Sequence, residues 1–259
     1  MISYPKAKVN IGLQITEKRS DGFHNLETLF FPAPVSDILE IVESGALSMN
    51  LYGMELDCDP SKNLCVKAYE LLKGDFDIPP VEIHLYKKIP FGAGLGGGSS
   101  DAASALILIN KLFALGLTTD ELANYAALLG SDCPYFVLSG DLDPLVPQGY
   151  YASGRGEILS KIDIPALKDC VIEVEKPDVS VSTALAYSKI IPAIPQTPLR
   201  ELIGLPIERW RENIFNDFEP SIFKMFPVIE EYKRKMYERG AIYASMSGSG
   251  SAVFGIFKK

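Results

Sequence analysis

Between Pro90 and Ser100 the chain reads Pro-Phe-Gly-Ala-Gly-Leu-Gly-Gly-Gly-Ser-Ser, with five glycines inside residues 92–98. A tight turn needs one or two glycines. A run this dense leaves a backbone without Cβ atoms, whose N–H groups can close on an anion. The stretch before it alternates Val81, Ile83 and Leu85 inward, as a strand does. The stretch after it places Ala102, Ala103, Leu106, Ile109 and Phe113 at helical spacing. A helix opening at Ser99/Ser100 adds unbonded N–H groups and the positive end of its dipole. Strand, glycine loop and helix start together read as a phosphate cradle. Asp101 suits the helix dipole but would repel a phosphate, so its carboxylate is expected to point away from the cradle.

The loop is not a Walker A motif, because no lysine follows Gly97 and Gly98. Gly92, Gly94 and Gly97 do match GxGxxG. A dinucleotide fold would then need a second strand carrying an acid about 20 residues on. Residues 118–129 read instead as a helix, opened by a capping box of Thr118 and Glu121 and closed at Gly130. The protein-kinase signatures H-R-D and D-F-G are missing from the sequence.

Elsewhere the 259 residues read as mixed α and β. Ala7, Val9, Ile11, Leu13 and Ile15 alternate with Lys8, Asn10, Gly12 and Gln14, which predicts a half-buried strand. A helix is expected from Asn63 to Leu72, a strand at Val137-Leu138, helices over 208–215 and 221–238, and strands over 241–246 and 252–257. The turn-rich stretch 153–156 is the expected boundary, giving domains 1–155 and 156–259. Gly154-Arg155-Gly156 itself reads as a plain connection. A net charge of −8 argues against nucleic acid or anionic lipid as a partner. Two histidines and four dispersed cysteines offer neither a zinc site nor a disulfide framework. With no apolar leader and no long apolar run, a cytoplasmic protein free of membrane spans is expected.

Lys8 and Asn10 lie two apart on a strand, so both project from one face. Asp132 follows Gly130-Ser131, where an aspartate alone would serve a turn. Beside an ammonium it could stay ionised and accept a substrate proton. Ser247-Gly248-Ser249-Gly250-Ser251 reads as a hairpin turn, and gains weight as a second anion contact only if it folds back beside the glycine loop.

Taken together, three segments resemble the GHMP kinases, and within them those acting on a cytidine-diphosphate-linked branched polyol. They are Ala7-Lys8-Val9-Asn10 with Asp21-Gly22-Phe23-His24, Pro90 to Ala103 with Gly130-Ser131-Asp132-Cys133-Pro134, and Met246 to Gly250. The resemblance implies two α/β domains of the GHMP kinase fold, an α+β chain with a ribosomal S5 domain 2-like first half and a ferredoxin-like second half. It implies ATP and Mg2+, with Asp132 as the base and Lys8 as its charge partner. Gly92, Gly94, Gly96, Gly97, Gly98, Ser99 and Ser100 would hold the ATP phosphates, Asn63 and Lys88 would border the adenine, and Ser100 is the candidate metal ligand. Asn10, Thr183, Gly248 and Ser249 would bind the polyol and its diphosphate. Phe23, His24 and Tyr187 would hold the cytosine, every base offering a π-face to stack.

Two positions depart from the family pattern. Lys6 stands where proline is usual, and Phe23 replaces a tyrosine, which keeps the stacking face and loses a hydroxyl. A kinase of mevalonate, phosphomevalonate or homoserine is the alternative, and the Phe23-His24 pair speaks against it because those substrates carry no base. A monomer or weak homodimer is expected.

Overall fold

The computed structural model describes residues 1–54, 62–143 and 145–259. Within them the strands are β1 (Ile2–Ser3), β2 (Lys6–Lys18), β3 (His24–Ser36), β4 (Ile38–Glu43), β5 (Ser48–Gly53), β6 (Val81–Lys87), β7 (Gln148–Ser153), β8 (Ile158–Asp163), β9 (Cys170–Glu175), β10 (Tyr243–Met246) and β11 (Val253–Lys258). The helices are α1 (Leu64–Asp75), α2 (Gly97–Leu112), α3 (Thr119–Leu129), α4 (Cys133–Leu138), α5 (Thr183–Ser188), α6 (Leu199–Leu202), α7 (Trp210–Asn213), α8 (Glu219–Met225) and α9 (Pro227–Glu238).

The chain divides into two compact units that interleave in sequence. The first takes Met1–Ala7, Val35–Phe91 and Gly96–Asp141, and the second takes Lys8–Pro34, Gly92–Leu95 and Leu142–Lys259. The boundary expected at 155/156 falls in the turn of the antiparallel β7–β8 pair, inside the second unit.

In the first unit one sheet runs β1-β4-β6-β5, with β5 and β6 parallel and the other pairs antiparallel. Leu39, Ile41, Val81, Ile83 and Leu85 lie fully buried on one face of it. Helix α2 packs on β4 and against α1, burying Ala102, Ala103, Ala105, Leu106 and Ile109. The small alanines let this helix lie close to its neighbours. Local chemistry starts the helices here. The Asn63 side chain accepts the Cys65 N–H at 2.9 Å and caps α1, and Thr118 and Glu121 form the expected box on α3.

The second unit holds two antiparallel sheets, β2-β3-β7-β8 and β10-β11-β9. Its core gathers Leu13, Ile15, Leu26, Val181, Phe218, Ile222, Ile229, Met236, Met246 and Val253. Helix α9 packs across β10 and β11 to close it.

Four expectations are corrected. Strand β2 is buried on both faces, since Lys8 and Asn10 are as enclosed as Val9 and Ile11. Val137 and Leu138 end helix α4, whose start is favoured by Pro134 in its first turn. The helix expected over 221–238 is two helices, because Pro227 drives Phe226 out of helical geometry, at φ −131° and ψ 74°. The helix expected over 208–215 keeps only Trp210–Asn213, after a 3-10 turn at Ile207–Arg209. Cys65, Cys133 and Cys170 carry free thiols, and Cys58 lies outside the described residues.

Candidate active site

The glycine loop is shared between the units. Its first half, Gly92–Leu95, belongs with the second unit. There it is strapped on both sides. The Lys8 N–H donates to the Leu95 carbonyl at 3.0 Å, and the Ala252 N–H donates to the Ala93 carbonyl at 3.1 Å. Gly94 sits where no side chain could, since a Cβ there would lie 1.9 Å from the Ser247 carbonyl oxygen. The Ser247–Ser251 turn therefore does fold back beside this half of the loop. Asn216 holds it there, donating to the carbonyls of Met246 and Gly248 at 2.8 Å each.

Lys8 and Asn10 meet on β2 as their spacing predicts. The Lys8 ammonium donates to Asn10 Oδ1 at 2.6 Å and to the Gly94 carbonyl at 3.1 Å, and it lies 5.0 Å from the centre of the Phe30 ring. Asn10 Nδ2 donates to Thr28 Oγ1 at 3.0 Å, and its backbone N–H donates to Ser247 Oγ at 3.2 Å. Ser247 Oγ in turn donates to the Gly94 carbonyl at 2.9 Å. This network fixes the Asn10 amide, because its oxygen faces an ammonium and its nitrogen a hydroxyl. A Cβ at Gly248 would lie 3.1 Å from the same amide oxygen.

An aromatic group lies in the same unit. The rings of His24 and Tyr187 stack at 5.0 Å with 26° between planes, and Phe218 meets Tyr187 edge-on at 4.9 Å. Phe23 is 54% exposed. The Arg155 guanidinium lies 4.9 Å above its ring. Thr183 and Ser249 share a hydrogen bond of 3.2 Å between their hydroxyls. Burial, helped by Lys18, holds the His24 pKa below its ordinary value, which favours the neutral ring.

The second half of the loop belongs with the first unit. Helix α2 begins at Gly97, two residues earlier than expected, with Gly96 as an N-cap that offers no side chain. The Ser100 N–H already turns back to the Gly96 carbonyl at 2.9 Å. The amides of Gly97, Gly98 and Ser99 precede that first intrahelical bond, so a ligand can take them. Ser100 is buried and Ser99 half-buried. Asp132 is half-buried at the N-cap position of α4. Beside it the Cys133 thiol is pushed up to about 11 by burial, against a hydrogen bond from Ser99, and so stays protonated. Asn63 spends its side-chain oxygen on capping α1.

Lys88 places its ammonium 5.8 Å over the exposed Tyr86 ring. Its neighbour Lys87 is the buried one, bonded to Asp37 and Asp101. Asp101 is buried and turns one carboxylate oxygen to Lys87. The alternation of Val81, Ile83 and Leu85 could have found Lys87, because it extends that inward series by one step. Thr28, Ser247 and Asn216 carry no such signal, since their roles arise from contacts far apart in sequence. Among the described residues, no group of three or more His, Cys, Asp or Glu could hold a metal, and no helix is long and apolar enough to cross a membrane.

The GHMP kinases N terminal domain matches residues 63–140, and the GHMP kinases C terminal domain matches residues 199–259. A 4-diphosphocytidyl-2-C-methyl-D-erythritol kinase of Parabacteroides distasonis is 49% identical over 259 residues, covering 100% of this chain and 92% of that one. The Bacteroides thetaiotaomicron protein of the same name is 50% identical over 262 residues, with the same two coverages of 100% and 92%. The crystal structure of a 4-(cytidine 5'-diphospho)-2C-methyl-D-erythritol kinase is 33% identical, with a TM-score of 0.81, over 98% of this chain and 89% of that one. The mevalonate kinase of Methanococcus jannaschii shares the fold, with a TM-score of 0.68 at 16% identity over 100% of this chain and 90% of that one. With both domains matched in order and full-length relatives at this identity, the chain belongs to the GHMP kinases, ATP-dependent kinases of small molecules with a two-domain α+β fold.

Proposed function

We propose that this kinase transfers the γ-phosphoryl group of ATP to the 2-hydroxyl of 4-diphosphocytidyl-2-C-methyl-D-erythritol, a step of the non-mevalonate isoprenoid route. The observation that carries the substrate choice is the stacked pair of His24 and Tyr187, with the exposed Phe23 beside His24 in sequence. Such a group suits a nucleobase, and a small polyol or amino acid has no use for it. A neutral His24 can both donate to and accept from a base edge. Thr183 and Ser249, paired through their hydroxyls, offer donors to the diphosphate and polyol.

Phosphoryl transfer asks the protein chiefly for positioning and charge stabilisation. In this reading the amides of residues 96–99 and the backbone of Gly92 and Gly94 receive the ATP phosphates. Asn63 and Lys88 border the adenine. Asp132 accepts the proton of the acceptor hydroxyl, so that the oxygen attacks as the proton leaves. Lys8 keeps the developing charge balanced and, through its bond to Asn10, keeps the polyol-binding amide in place. The pairing of Lys8 with Asp132 rests on the family resemblance. A buried Ser100 hydroxyl, with no group of three or more His, Cys, Asp or Glu around a metal site among the described residues, fits Mg2+ arriving with the nucleotide. Bound there with the help of Ser100, Mg2+ would neutralise charge on the β- and γ-oxygens.

An ATP-consumption assay over a panel of 4-diphosphocytidyl-2-C-methyl-D-erythritol, mevalonate, phosphomevalonate and homoserine tests this directly. Turnover is expected with the cytidine compound alone. Turnover only with mevalonate or homoserine overturns the substrate and leaves the family. In the same assay Asp132→Asn should abolish transfer while nucleotide binding, read by calorimetry, survives. Normal turnover in that variant removes the base.

A further inference from the structure

Beneath the first turn of α2 lies a charged cluster that the reaction above does not use. Lys87, Asp37 and Asp101 are each no more than 4% exposed. The Lys87 ammonium donates to Asp37 Oδ2 and, at 2.6 Å, to Asp101 Oδ2. Asp37 Oδ1 accepts the backbone N–H groups of Lys88 and Ile89 at 2.5 and 2.8 Å. One carboxylate thus ties the end of β6 to the entrance of β4, and the other reaches the same ammonium from the early turns of α2. Asp101 Oδ1 is buried without a hydrogen-bond partner among the described residues. Burying three charges is costly, and an apolar filling of the same volume is commonly as stable or more so. A cluster kept at such a cost asks for a reason other than stability.

Its place in the fold supplies one. A Cβ on Gly97 would lie 2.8 Å from Ile89 Cγ2 and 3.4 Å from Lys87 Nζ. The helix therefore starts flat against the very residues the cluster pins. The N-cap Gly96 has no side chain to fix the direction of the first amides. Lys87, Asp37 and Asp101 hold that turn from below instead.

We propose that Lys87, Asp37 and Asp101 are a positioning set for the nucleotide, fixing the depth and direction of the first turn of α2 and so the aim of its amides at the ATP phosphates. The inference rests on the phosphate-binding reading of residues 96–100. None of the three touches the reacting atoms. Their role is geometric, and a geometric role separates from a stabilising one under the right substitutions.

Lys87→Met combined with Asp37→Asn and Asp101→Leu removes all three charges together, and leaves position 37 an amide oxygen for its two backbone donors. The triple variant should melt at or above the wild-type temperature. Its kcat/KM for ATP, and its affinity for a non-hydrolysable ATP analogue in calorimetry, should nonetheless fall about 10- to 100-fold, the scale set by a misplacement of about 1 Å. KM for the polyol substrate should stay within about twofold, less than the roughly 0.6 kcal/mol that RT represents at room temperature. Asp101→Ala should show the same split, and it serves alone if the triple variant does not fold. Asp101→Asn keeps an acceptor for Lys87 at the same place, and should restore nucleotide affinity. Folded variants that bind the analogue as wild type does would reduce the cluster to a stabilising element and overturn the proposal. A wild-type protein that fails to bind the analogue would overturn the phosphate reading and the positioning set with it. Loss of turnover on the cytidine compound alone, with analogue binding intact, bears only on the substrate.

Discussion

Lys8 and Lys87 are equally buried, both 4% exposed, yet different oxygens aim their ammonium groups. Lys87 lies between two carboxylates. Burial pulls its pKa down, but Asp101 and Asp37 outweigh that and hold it above the ordinary lysine value. Lys8 is oriented by the amide oxygen of Asn10 and the carbonyl of Gly94, with the Phe30 ring beneath. The oxygens of Asn10 and Gly94 aim the Lys8 ammonium, and two carboxylates both aim and offset that of Lys87. The charge of Lys87 is spent inside the fold. Burial alone would have ranked the two lysines together, and the chemistry of their acceptors separates them.

Removing each ammonium is the most severe way to break that contrast. Lys8→Met should lower kcat by about 10²–10³-fold, the usual loss for one preorganised electrostatic contact, and stability by about 1–3 kcal/mol, since Asn10 Oδ1 loses its donor. Lys87→Met alone leaves two buried carboxylates facing each other, and should lower stability by about 3–5 kcal/mol in urea unfolding. The contrast fails if Lys8→Met unfolds the protein as readily as Lys87→Met, or if it turns over normally.

A milder probe is pH. The Asp101 carboxyl is pushed up to about 7, chiefly by burial, with Lys87 opposing and Asp37 adding to the rise. An acid whose folded pKa lies above its unfolded value binds its proton more tightly when folded. Its contribution therefore costs stability as pH rises from about 4 towards 7, and the loss is complete above that. Asp101→Asn removes the titration. Its unfolding midpoint should fall less than that of wild type between pH 4.5 and pH 7.5, when both are measured in the same denaturant. Parallel curves would mean that Asp101 is ionised throughout, and that the cluster is held by Coulomb attraction alone.

What the sequence made legible follows the same division between local and distant causes. The helix after the glycine loop, the helix starting beside Asn63 and the Thr118–Glu121 box depend on neighbours within a few residues, and all three form. The Lys8–Asn10 bond follows from strand spacing alone. The two interleaved units were out of reach, because β3 finds β7 more than a hundred residues on, in the register of Leu29 with Tyr151. The break at Phe226 needed only Pro227 to be read, and the apolar spacing through 221–238 hid it. Lys87 is a subtler case, since the inward series of Val81, Ile83 and Leu85 reaches it in one more step.

A third cation offers the finest test of how acceptors set a residue's use. Arg155 sits in the β7–β8 turn, read from sequence as a plain connection. Its guanidinium lies 4.9 Å over Phe23, with Glu157 3.7 Å away. The turn is drawn to this place because the Leu26 N–H donates to the Gly154 carbonyl at 2.7 Å. If Phe23 stacks on the cytosine, Phe23→Ala should raise KM for the cytidine substrate about 5- to 100-fold, from roughly 1–3 kcal/mol of base–aromatic stacking. Arg155 braces one face of that ring, and an exposed cation–π contact contributes about 0.5–1 kcal/mol. Arg155→Ala should therefore raise the same KM only about two- to fivefold. It should leave kcat and the KM for ATP unchanged, because Arg155 acts through the ring and meets no reacting atom. Arg155→Lys should fall between, since a compact ammonium covers less of the ring than a planar guanidinium. In the double variant Phe23→Ala/Arg155→Ala the effect of Arg155 should vanish, as the two act through one ring. An effect of Arg155→Ala that persists without Phe23 would mean that the guanidinium meets the substrate directly.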